Sequence, residues 1–367
     1  MPRPPEYISS LLPYVPGKPV EELERELGIK GAVKLASNEN PLGPSPKAVE
    51  ALKAAIGGIN RYPDGGGYYL REALAGRLSV DMEELILGNG SNELIDIAVR
   101  TYLRPGDEAV MAKPSFVVYA TSVKAQGAKA VETPLKNWRH DLDAMAKAIT
   151  PKTRMLFIAN PNNPTGAVNT KEELNRLFES LPIGPEGPEG LLVVVDEAYY
   201  EYVRNPDYAD SILHFRAGRD ILVLRTFSKI YGLAGLRIGY GIAKKDIIEE
   251  MNKLRPPFNA NSLAQAGAVG ALKDEEHLRR TVQANEEGKR YLYGELDSLG
   301  VRYVPTEANF IYILLGRDSK AVYGALLREG VITRPMGPEE IRVTIGTMEE
   351  NRRFVKAFGG IYGHHSS

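Results

Sequence analysis

Lys229 follows Ser228 a few residues after the apolar run Ile221 to Leu224, in the stretch RTFSKIYGLAGLRIGYG. A lysine that ends a buried strand is partly stripped of water. Desolvation lowers its pKa toward the neutral amine that attacks a carbonyl to form an imine. The residues around it suit an anion. Gly232, Gly235, Gly239 and Gly241 let backbone approach a bound group closely, while Thr226, Ser228 and Arg237 offer two hydroxyls and a guanidinium fork. These are donors that a phosphate takes. Together they describe a lysine-linked phosphorylated cofactor. The plainer alternative is an ordinary surface lysine, as most lysines are.

Other stretches carry compatible chemistry. In GNGSNEL, residues Gly88, Gly90, Ser91 and Asn92 put small side chains and free N–H groups where a helix begins, a ready phosphate site. A dinucleotide fingerprint is the rival there, but Glu93 stands where its third glycine belongs. ANPNNPTG puts Asn163 in a turn at a strand's carboxyl end, facing the crevice in which such folds bind ligands. Asp196 closes the run LLVVVD and Tyr199 follows it. A magnesium-binding aspartate would need a GxxxxGK[ST] loop, which the chain lacks. The N-terminal arm carries Tyr14, Asn38, Glu39 and Asn40, and ordering such an arm costs entropy unless it docks or touches a ligand. Tyr62, in the glycine-rich loop RYPDGGGYY, is placed to contact a partner or ligand.

Composition bounds the setting. The chain has 367 residues, 43% of them apolar, and a formal net charge of -1, enough for a large domain plus a smaller one. With no basic block and no long apolar run, neither nucleic acid nor membrane is an expected partner. MPRPPEYISS lacks the apolar core of a signal peptide, so the cytoplasm is the expected compartment. There is no cysteine, and the five histidines show no metal-ligand spacing except the His364-His365 pair. No metal is therefore expected.

These residues need a scaffold. From Leu85 the pattern alternates strand and helix, which predicts a mostly parallel sheet covered by helices on both faces. Ser45-Pro46 starts a helix that runs to Gly57-Gly58, Thr170 and Glu173 form a capping box, and 184–190 reads as a surface turn. Two long helices follow, over 261–273 and 275–299, and then a smaller α+β unit. The expected division is an N-terminal arm, 1–44, joined to the small domain; a large domain, 45–284; and a small C-terminal domain, 285–367.

SKIYGLAGLRIGY, taken with Gly90-Ser91-Asn92, NPNNPTG, VVVDEAY and IRVTIG, resembles the pyridoxal-phosphate aminotransferases of fold type I, and within them the histidinol-phosphate branch. The resemblance runs from about Tyr14 to Thr347. It implies that Lys229 carries the cofactor and shuttles the proton, and that Asp196 pairs with the pyridinium. It further implies that Asn163 and Tyr199 reach the ring hydroxyl and that Tyr119 stacks on the ring. Gly90, Ser91, Asn92, Thr226, Ser228 and Arg237 would hold the phosphate, joined by Tyr62 of a neighbouring subunit in a homodimer. Arg342 would clamp the substrate carboxylate, with Arg334, Tyr14 and Asn38 also on the substrate. The implied reaction exchanges an amino group between histidinol phosphate and 2-oxoglutarate, in histidine biosynthesis. Three alternatives remain: an aromatic or broad-specificity aminotransferase, a phosphothreonine decarboxylase, and a non-catalytic binding module of this fold.

Overall fold

The computed structural model describes residues 2–181, 190–208 and 210–363. The turn read at 184–190 lies outside them except for Gly190, as does the His364-His365 pair. Leu192–Asp196 and Ile221–Thr226 are buried along their whole length. A β-branched and aliphatic run of this kind is stable only with both faces of its sheet covered. The two strands lie in the middle of an eight-stranded sheet. From one edge its order is Leu85–Gly88, Gly239–Ile242, Ile221–Thr226, Leu192–Asp196, Thr153–Ala159, Glu108–Lys113, Lys129–Lys136 and Arg139–His140. Gly239–Ile242 is antiparallel to both neighbours, because the chain enters it through the short lysine turn and not through a helical crossover. The other antiparallel strand is the two-residue edge, Arg139–His140.

Lys129–Lys136 is largely exposed and mixed in polarity, so nothing in its sequence announces a strand. Pairing with Glu108–Lys113 makes it one. Helices Ser91–Tyr102, Val117–Ala125 and Lys171–Ser180 follow strands, and the last opens with the Thr170/Glu173 capping box. The sheet therefore aligns the carboxyl ends of its parallel strands along one crevice, and Asn160, Asp196 and Thr226 lie there.

The second unit is a four-stranded antiparallel sheet in the order Arg302–Val304, Phe310–Leu314, Glu340–Thr344, Arg334–Pro335. Its core joins Ile311, Val343, Leu326 and Phe354. The 24-residue helix Glu275–Ser298 spans both units: Leu278 and Val282 pack on the large core, Leu292 and Leu296 in the small one. The arm also touches both. Val33–Lys34 pairs in parallel with Val331–Ile332, and the short helix Glu6–Ser9 packs against Val117–Ala125 of the large unit. Among the described residues no helix is long and apolar enough to cross a membrane.

Candidate active site

Lys229 sits in the turn between Ile221–Thr226 and Gly239–Ile242, with its Nζ 3.1 Å from the carbonyl oxygen of Ser37 and 5.7 Å from the centre of the Tyr199 ring. Burial pulls its pKa down to about 8, and the nearby Arg342 guanidinium pulls in the same direction. The neutral amine is thus far more accessible than on an ordinary lysine, and its share grows as pH approaches 8. The turn keeps its shape by packing against the arm. A side chain at Gly232, where φ is 68°, would run into the Gly43 backbone, and Asn40 Nδ2 donates to the Ile230 carbonyl at 2.7 Å.

Tyr199 meets the two asparagines. Its hydroxyl accepts from Asn38 Nδ2 at 2.8 Å and from Asn163 Nδ2 at 3.4 Å. With both lone pairs engaged, its own proton is free to donate to a third oxygen. Burial pushes its pKa up to about 12, so that proton is retained. Asp196 is buried, and burial raises its pKa despite hydrogen bonds from Tyr119 Oη at 2.7 Å and Ala198 N at 3.1 Å. A carboxyl in that position is stabilised as an anion by a cationic ligand.

Tyr119 is placed differently from the sequence expectation. It is only 1% exposed, its ring lies flat on Phe157 at 5.0 Å, and its hydroxyl is spent on Asp196. The half-buried Phe116, edge-on to Tyr119 at 5.6 Å, stands at the strand's end instead. An aromatic one helical turn from another on Val117–Ala125 was the available signal. The choice between the two depends on which way the helix enters, and local sequence does not say.

The anion donors come together from two segments. Arg237 Nη1 donates to Ser228 Oγ at 3.1 Å, and Thr226 Oγ1 accepts from Ser228 N at 3.1 Å. Gly90 has φ 77°, and a side chain there would collide with the Arg237 guanidinium, so the two segments touch. Asn92 is exposed in the first turn of the helix.

Arg342 is 8% exposed; Nη1 donates to Asn163 Oδ1 at 2.6 Å and Nη2 to the Ala36 carbonyl at 2.7 Å, while Nε has no partner. Arg334 stands directly opposite it on the adjacent strand, so the two guanidiniums share a face. Arg334 donates to the Val15 carbonyl at 2.7 Å and lies 5.4 Å from the Tyr14 ring centre. Among the described residues neither arginine is ion-paired with a carboxylate. A buried cation without a counter-charge is costly, and two on one face attract a doubly anionic ligand. Asn38, with φ 57°, is occupied: it holds Tyr199, bonds Thr344 through its side chain and its N–H, and accepts from Asn309 at its carbonyl.

A model of the aminotransferases of class I and II matches residues 30–358. The chain belongs to that family. This aminotransferase is 52% identical over 357 residues to the histidinol-phosphate aminotransferase of Moorella thermoacetica, covering 96% of this chain and 91% of that protein. To histidinol-phosphate aminotransferase 1 of Nitrosococcus oceani it is 46% identical, covering 95% and 94%. Among solved structures it resembles the histidinol-phosphate aminotransferase of Sinorhizobium meliloti in complex with pyridoxal-5'-phosphate, with a TM-score of 0.90 at 27% identity and coverage of 99% and 98%.

One sequence-nominated residue of the aminotransferase stands apart. Tyr62 is 82% exposed and stacks at 4.7 Å on Phe258, which is also exposed. Ile56, Ile59 and Tyr69 are exposed along the same stretch.

Proposed function

We propose that the protein is a pyridoxal-phosphate-dependent histidinol-phosphate:2-oxoglutarate aminotransferase of histidine biosynthesis, working in the cytoplasm as a homodimer. The paired guanidiniums of Arg342 and Arg334 on one face, without carboxylate partners, carry the substrate reading. The phosphate dianion of histidinol phosphate, that substrate's one anionic group, can take charge-assisted bonds from both. Glutamate, with two carboxylates, can use the same pair.

The residues fit the cofactor. Lys229 is an amine whose pKa burial lowers to about 8, Tyr199 has a proton to donate to a ring oxygen, and Asp196 is a buried carboxyl that a pyridinium would satisfy. Bound there, the cofactor supplies an electron sink that stabilises negative charge on the substrate's α-carbon. Lys229 would take and return the proton at that carbon. Asp196 holds the positive charge on the ring nitrogen, and Tyr119 orients Asp196 through its hydroxyl. Phe116 offers the stacking face. Ser91, Asn92, Thr226, Ser228 and Arg237, with the Gly90 turn, bind the phosphate. Arg342 orients the carboxylate of glutamate or 2-oxoglutarate, Arg334 and Tyr14 take the phosphate of histidinol phosphate, and Asn38 braces Tyr199. Tyr62 reaches the phosphate in the partner's site, and the exposed face at 56–69 forms part of the dimer contact. The working units are 45–284 and 285–367, with the arm, 1–44, belonging to the second.

Incubating the enzyme with histidinol phosphate and 2-oxoglutarate and measuring glutamate decides the substrate. Efficient turnover is expected. Faster turnover of phenylalanine or tyrosine than of histidinol phosphate would move the assignment to the aromatic aminotransferases, and carbon dioxide release from phosphothreonine, without glutamate formation, would move it to a decarboxylase.

A further inference from the structure

Glu93, the residue that spoils a dinucleotide fingerprint, is used by none of the steps above. It occupies the third position of the helix Ser91–Tyr102, whose N-cap is Gly90. The protein has the same device elsewhere: at Lys171–Ser180 the third-position Glu173 returns to the N-cap N–H of Thr170 at 2.8 Å, and Thr170 Oγ1 takes the Glu173 N–H. That helix end is closed by its own side chains. Glu93 reaches one residue further back, to the Asn89 N–H at 2.7 Å. Among the described residues the N–H groups of Gly90, Ser91 and Asn92 are thereby left without side-chain acceptors, and the Ser228–Arg237 pair adjoins Gly90. The same Glu93 Oε2 accepts from Asn259 Nδ2 at 2.6 Å, and Asn259 also donates to the Leu87 carbonyl at 3.0 Å. Arg255 Nη1 bridges Asn259 Oδ1 at 3.0 Å and the Gly65 carbonyl at 2.8 Å, in the loop that carries Tyr62.

We propose that Glu93 is the positioning residue of the phosphate cup: it holds the 88–91 turn open toward the ligand and splints it, through Asn259 and Arg255, to the Tyr62 loop. A carboxylate this close to a dianion opposes binding by its charge, so its use is as an acceptor for two donors at one oxygen. Glutamine keeps that acceptor and drops the charge. The inference rests on the placement of the cofactor phosphate proposed above.

The test titrates apoenzyme with pyridoxal 5'-phosphate and, in parallel, with pyridoxal, which lacks the phosphate, following binding by absorbance and by the fluorescence of Trp138, the only tryptophan. Glu93→Ala should weaken pyridoxal 5'-phosphate by about tenfold or more and pyridoxal by less than about threefold. Glu93→Gln should bind both within about threefold of the unaltered protein, or the phosphate form more tightly. Asn259→Ala, which removes the splint and leaves Glu93 in place, should reproduce the phosphate-selective loss in smaller measure, and it serves where Glu93→Ala fails to fold. Equal weakening of both ligands, no weakening in either alanine variant, or a glutamine variant as impaired as the alanine one would overturn the proposal. Arg237→Ala separates the layers: if it leaves pyridoxal 5'-phosphate binding unchanged, the cup itself is misplaced, whereas a normal Arg237 response with an indifferent Glu93→Ala removes Glu93 alone.

Discussion

The two ends of the crevice are built in different ways. At the large-sheet end, Lys229, Asp196, Tyr199 and Ser228 leave the ends of buried strands, and each is held by partners within the fold. At the other end, Arg334 and Tyr14 are bridged by one hydrogen bond to Val15 and a cation–π contact between a short edge strand and an exposed arm segment. Rigid strand ends suit chemistry that tolerates little misplacement. An end assembled from an arm and an edge strand is easily remodelled, and under the proposed function it is the end that would discriminate between substrates.

If that contrast holds, changes at the sheet end abolish chemistry and changes at the arm end redistribute preference. Lys229→Ala should lower turnover by about 10⁴-fold or more and remove the visible absorption of covalently held cofactor, with the circular-dichroism spectrum of the fold intact; near-normal transamination would end the assignment of Lys229. Asp196→Ala is expected to retain some cofactor yet lose about 10²- to 10³-fold in turnover, since a neutral pyridine is a weak electron sink. Undiminished activity would refute its role.

At the arm end, Arg334→Ala should cost histidinol phosphate about 10²-fold in kcat/KM but glutamate under about tenfold, because a phosphate dianion takes two charge-assisted bonds from a guanidinium. Equal losses measured on the two substrates would erase the distinction between the ends. Tyr62→Phe should loosen the cofactor by about 1–3 kcal/mol in equilibrium titration, without unfolding. Mixing inactive Tyr62→Ala with inactive Lys229→Ala subunits should restore one working centre per mixed dimer; verified subunit exchange with no recovery would rule out the shared site.

The smallest effect concerns pH. Lys229 is buried beside Arg342, so its neutral fraction rises as pH passes through about 8, and not near the usual 10.5 of a lysine. Capture of pyridoxal 5'-phosphate by the apoenzyme should accelerate with that midpoint and level off above it. Arg342→Met removes a nearby positive charge and should move the midpoint upward. A midpoint unchanged in that variant would show that burial alone sets it.

Where local chemistry and local pattern agreed, the chain could be read directly. Leu192–Asp196 and Ile221–Thr226 are largely apolar runs that end in a polar residue, and a buried parallel strand is the structure that such a run specifies. The placement of Lys229 and Asp196 at strand ends and the Thr170/Glu173 cap were legible for that reason, as were the alternation of strand and helix and the change to an α+β unit. The rest depended on partners far away in sequence. Lys129–Lys136 is a strand because Glu108–Lys113 lies beside it. Tyr119 turns inward and Phe116 stands at the strand's end because of how one helix packs on Phe157. Asn38 touches Tyr199, and Arg342 touches Asn163, across 161 and 179 residues of chain. Glu93 acquires its role only when Asn259 arrives from 166 residues away. Sequence carries period and residue type, which determine an element and the chemistry at its end; which side chains meet across the crevice is decided by packing, because hydrogen bonds depend on distance and direction in space.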